Sequence, residues 1–117
     1  MDHDRIAQDI QNWVGDAAGD VAYDMDINMG WGGYPDEWIV EIEKAKKDGV
    51  QDINGWFADW LYCDPDFLEG LIGDRVYDKT KGNPDDAIKV LMSMKEHAHP
   101  GLRIACDKMI KRWEERR

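Results

Sequence analysis

The chain has 117 residues, with 25 Asp+Glu against 15 Lys+Arg and a formal net charge of −10 at pH 7. That balance excludes nucleic-acid binding through a chain-wide basic surface, because neutralising phosphates takes an excess of Lys and Arg on the contact face. An anionic membrane surface would repel the chain for the same reason.

At 43% hydrophobic and 10% aromatic, the sequence holds far more apolar material than a disordered acidic tail, so it is expected to fold as one domain over 1–117. In chain order, Ile6, Ile10, Trp13, Val14, Ala17, Val21 and Met25 step by three and four. That spacing predicts an amphipathic helix over 4–26, with Gly15 and Gly19 as its weak points. Pro35, Asp36 and Glu37 make a helix start, since proline suits the first helical position and acids complement the positive end of the dipole. Trp38, Ile39, Ile42 and Ala45 supply that helix's apolar face, and Gly49 ends it.

A third helix over 53–63 is marked by Ile53, Trp56, Phe57, Trp60 and Leu61. Asp64 before Pro65 gives a cap and a first-turn proline for a fourth, striped by Phe67, Leu68, Leu71 and Ile72. Asn83-Pro84-Asp85-Asp86 repeats the start signal for a fifth helix running to about His97. Pro100 and Gly101 break the chain ahead of the last helix, where Leu102, Ala105, Cys106, Met109, Ile110 and Trp113 form one buried stripe. No run alternates at period two for long enough to build a sheet, and only Val76-Tyr77 and Gly49–Ile53 suit a short extended piece. The expected fold class is all-α, a bundle of about five to six short helices.

Cys63 and Cys106 form no C-x-x-C pair and suggest neither a disulfide framework nor a thiolate metal site; both read as small buried hydrophobes, and a reducing cytoplasmic compartment is expected. Met1-Asp2-His3-Asp4 lacks the basic and apolar regions of a secretory signal. No apolar run approaches the roughly 20 residues that span a bilayer.

Chemistry-bearing patterns are sparse. Asp24-x-Asp26-x-Asn28 has the spacing that opens a calcium loop, but Met29 stands where glycine is needed and Pro35 where a bidentate glutamate is needed. His97 and His99 supply two ligands without a third. Gly30-Trp31-Gly32-Gly33 follows no strand and sits among acids, which argues against a phosphate cradle. The acid pairs Asp36/Glu37, Asp64/Asp66 and Asp85/Asp86 all fall at helix starts, where the dipole accounts for them. No catalytic residue, metal or cofactor is expected, and binding is favoured over catalysis.

The charge is unevenly placed. Residues 1–43 hold eleven acids and Arg5 alone, a net −10, whereas residues 79–117 hold ten bases and six acids, a net +4. Asp16, Asp20 and Asp24, each about 6 Å further along the helix axis, are expected to form a negative row opposite Ile6, Ile10 and Trp13. Such a row stands in for phosphates in the basic cleft of a nucleic-acid enzyme. Trp31 and Tyr34, on the glycine loop beside it, are candidate anchors, with Asp26, Asp36 and Glu37 as neighbouring acids. Lys108, Lys111, Arg112, Arg116 and Arg117 complement the dipole of the last helix; the alternatives are pairing with the acidic front of a second copy as a head-to-tail dimer, or with nucleic acid.

In profile, a small acidic helical chain without catalytic motifs, the protein resembles the inhibitors that phages and mobile elements deploy against restriction or CRISPR systems. It equally resembles acidic immunity proteins and antitoxins that neutralise nucleases. This resemblance implies a basic nucleic-acid-binding protein or nuclease complex as partner, with no direct nucleic-acid contact and no membrane. The competing classes are a small adaptor that takes a helix or peptide in an apolar groove and, behind it, a calcium- or carboxylate-dependent enzyme.

Overall fold

The computed structural model describes residues 1–27, 34–96 and 99–117. Six helices follow in order, α1 (His3–Ile27), α2 (Asp36–Lys47), α3 (Ile53–Tyr62), α4 (Pro65–Thr80), α5 (Pro84–Glu96) and α6 (Pro100–Glu115). Among the described residues there is no strand, so the fold is all-α. Val76 and Tyr77 lie inside α4, and the residues leading to Ile53 form a turn, so neither suggested extended piece is one. Val76 belongs to a helical stripe of Leu68, Ile72, Val76 and Thr80, all buried at steps of four, and that stripe overrides the local β-preference of a Val-Tyr pair.

Short polar side chains start most of the helices. Asp64 accepts the backbone N–H groups of Asp66 and Phe67 at 3.1 and 3.3 Å, with Pro65 in the first turn. Asn83 accepts from Asp86 at 3.1 Å, Asp52 from Gly55 at 3.0 Å and Asp2 from Arg5 at 3.2 Å. Pro35 is itself the cap position of α2, which begins at Asp36, and Pro100 opens α6 instead of breaking the chain before it. Gly49 ends α2 at φ +85, with its N–H on the Lys46 carbonyl and the Val50 N–H on that of Ala45, the paired bonds of a Schellman turn.

The chain gathers into two compact units, one made of Met1–Gly15 and Tyr62–Arg117, the other of Asp16–Leu61. The first unit has an aliphatic core in which α4, α5 and α6 pack on one another. Leu68, Ile72, Val76, Val90, Leu91, Met94, Ala105 and Cys106 are fully enclosed there, joined by Ala7, Ile10 and Val14 of α1 and by Trp113. The start of α6 comes so close to the α3–α4 turn that a Cβ on buried Gly101 would run into the Tyr62 carbonyl and the Cys63 backbone. The second unit is built on rings: Phe57, fully buried, stacks on Trp60 with centroids 5.2 Å apart and meets the edge of Trp38 at 5.8 Å. Ala18, Ala22, Met25, Ile42, Ala45, Ile53 and Leu61 are its other buried residues among those described.

Candidate partner-binding site

The buried stripe of α1 runs through Ala7, Ile10, Val14, Ala18, Ala22 and Met25, with Ile6 and Trp13 half-buried at its edge. A step of four residues turns about 40° beyond a full circle, so a ladder of i, i+4 positions winds around the helix. For that reason Asp16, Asp20 and Asp24 do not form a straight row opposite Ile6, Ile10 and Trp13. Asp16 and Asp20 are exposed, but Asp24 has wound toward the buried side and is half-buried. There it accepts the Tyr34 hydroxyl at 2.8 Å. That hydrogen bond, with burial and the Asp24 charge behind it, raises the Tyr34 phenol above its ordinary value of 10.0.

The positions that share the solvent-facing side with Asp16 and Asp20 are Tyr23 and Ile27, 59% and 56% exposed. Sequence reasoning missed both, although their spacing of i+7 and i+11 from Asp16 places them on the same face of a helix. A large aromatic and an isoleucine held out beside two carboxylates give this face apolar contact area as well as charge.

Tyr34 stacks on Trp38 with centroids 5.8 Å apart, so this candidate anchor is fastened to the aromatic cluster of its own unit. Trp31 lies outside the described residues, as do the other residues of 28–33 and His97. Asp26 is paired with Lys46 at 3.1 Å. Asp36 and Glu37 are exposed in the first turn of α2, and Val40, 59% exposed, stands one turn further on. Of the three suggested calcium ligands, Asp24 and Asp26 are engaged by Tyr34 and Lys46, and Asn28 lies outside the described residues; among the described residues no group of three or more metal-ligating side chains converges.

Cys106 is fully buried; burial, with Asp107 adding and Lys95 opposing, pushes its thiol up to about 12. Cys63 is exposed, contrary to its reading as a buried hydrophobe, because α3 ends at Tyr62 and leaves it in the turn before α4. His99 is exposed and its ring lies 4.9 Å from that of Tyr62. The basic tail does more than complement its own helix dipole. Arg112 meets Glu69 at 3.1 Å, Arg117 meets Asp85 at 2.8 Å, and the Arg116 guanidinium lies 4.7 Å over the Trp113 ring.

The two units therefore differ in charge. Asp16–Leu61 carries eleven acids and three lysines, a net −8, while the other unit carries fourteen acids and twelve bases, a net −2. Among the described residues no helix is long and apolar enough to cross a membrane. The chain matches no family model, no curated protein and no solved structure.

Proposed function

We propose that the protein is a binding protein and not an enzyme: an acidic inhibitor, acting in the cytoplasm, whose unit Asp16–Leu61 docks on a basic nucleic-acid-handling protein of the restriction, CRISPR or nuclease type. The observation that carries this reading is the concentration of charge, a net −8 on 46 residues, with Asp16 and Asp20 exposed beside Tyr23 on one helix face. A field of that sign and density steers encounter with a basic surface and competes there with phosphates. Tyr23 and Ile27 supply the desolvated contact that charge alone lacks.

Affinity capture from the native host tests it. The retained protein should bind nucleic acid, its association rate should fall steeply from low to high salt, and the double reversal D16K/D20K should release it. A salt-insensitive complex, or one that survives the double reversal, overturns the reading. The exposure of Tyr23, Ile27 and Val40 favours a second reading, an adaptor for an apolar helix or peptide. That reading predicts the opposite pattern, with Tyr23→Ala decisive and salt without effect.

A further inference from the structure

A small cleft opens in the second unit where α2 ends and α3 begins. It has a volume of about 200 Å³ and is lined by Glu41, Lys44, Ala45, Asp48, Val50 and Trp56. Pockets for drug-sized ligands run to roughly 300–1,000 Å³, so this one suits a single side chain and not a nucleotide or cofactor. Its construction is local. The Schellman turn at Gly49 folds Val50 back toward Ala45, to whose carbonyl the Val50 N–H bonds at 3.1 Å, and together they make an apolar wall. Asp52 then caps α3, and the Trp56 N–H on the Asp52 carbonyl at 3.0 Å starts that helix with the indole on the cleft.

We propose that this cleft receives one arginine side chain of the partner. The inference rests on the acidic-inhibitor reading and names the anchor that it uses. Three features point to a cation with a flat apolar face. Trp56 is half-buried and presents an indole, the best aromatic partner for a guanidinium. Glu41 on α2 and Asp48, the residue that ends it, stand seven positions apart and both line the cleft, so negative charge meets an incoming cation from either end. The cleft lies at the C-terminal end of α2, where the helix dipole is negative and is offset in part by Lys44, Lys46 and Lys47 of the last turn. Arginine fits better than lysine because its planar, weakly hydrated head stacks and donates at the same time. Lys44, between the two acids in sequence, is exposed, lines the same cleft and opposes the ligand.

The test uses the full chain and N-acetyl-arginine amide as the probe, followed by NMR at the Trp56 indole N–H and the Val50 amide. Saturable shifts are expected there. They should be absent with the neutral citrulline analogue, weakened about tenfold in E41Q/D48N and strengthened in K44Q. A thermal melt of E41Q/D48N that overlays the wild type shows that its loss is not misfolding. No saturable shift, an equal response to citrulline, or wild-type titration by E41Q/D48N overturns the proposal. Failure of the underlying reading looks different: arginine amide still binds, but the captured partner is salt-insensitive. If instead the partner is lost by D16K/D20K and kept by E41Q/D48N, the arginine site falls and the acidic-inhibitor reading stands.

Discussion

The two units of this protein answer their acids with bases to different degrees. In the unit made of Met1–Gly15 and Tyr62–Arg117, Glu69 meets Arg112, Asp85 meets Arg117, Asp107 meets Lys95, Asp86 meets His3 and Asp4 meets the Ser93 hydroxyl, while Asp9, Asp74, Asp78, Glu96, Glu114 and Glu115 stand exposed. In Asp16–Leu61, Lys46 pairs with Asp26, and Asp16, Asp20, Asp36, Glu37, Glu43 and Asp59 stand exposed. The cores differ in parallel, aliphatic in the first and aromatic in the second. The lesson is that the net charge of the whole chain does not mark an interaction surface. Exposed acids stand on both units, and what differs is the excess of acids over bases, which collects where the local sequence has few bases to answer it.

The largest effects that would test this contrast lie in the cores. Phe57→Ala should destabilise by about 3–5 kcal/mol and Leu91→Ala by about 2–5 kcal/mol, read from denaturant unfolding. Separate calorimetric transitions for the two variants would sharpen the division into units, and one shared transition would break it. Alkaline pH comes next. Tyr34 and Cys106 hold their protons more tightly folded than unfolded. The stability tied to Cys106 is therefore complete below its ordinary value of 9.0 and is lost as pH rises through its folded value of about 12. Cys106→Ala should flatten the alkaline loss from the first unit and Tyr34→Phe that from the second. An unchanged pH slope in both variants would refute the assignment.

Charge reversal compares the units directly. D16K/D20K should cost the partner complex tenfold or more in association rate at low salt, about 1.4 kcal/mol, while D74K/D78K on the other unit leaves it nearly unchanged. Equal losses from both would make the effect one of overall charge. Caps are worth less: Asp64→Ala and Asp52→Ala should each cost about 1 kcal/mol in thermal melts, with Asp64 the larger because it accepts two backbone N–H groups and Asp52 one. Smallest of all are the exposed ion pairs. Arg117→Ala and Lys46→Ala should each lie below about 1 kcal/mol, and a larger loss on either side would mean that its pair is structural.

Much of this was legible beforehand because helical signals are local. The caps at Asp64 and Asn83, the stop at Gly49 and the stripe from Leu102 to Trp113 depend on neighbours within a few residues. The site was less legible. Asp24 departs from the expected row because a four-residue ladder winds around the helix. Tyr23 and Ile27 give no local sign of exposure, because an apolar residue in a helix looks like part of the stripe until the buried face is known.

The sequence by itself determined six helices, their order and most of their ends, since capping, proline placement and apolar period act over one or two turns. It also determined that the front of the chain is acidic. Only the tertiary structure decided which acids remain available. Pairings such as Asp85 with Arg117 and Asp4 with Ser93 join residues far apart in the chain, and although helix winding carries Asp24 off the face of Asp16 and Asp20, only packing decided that Tyr34 meets it while Asp16, Asp20 and Tyr23 stay in water.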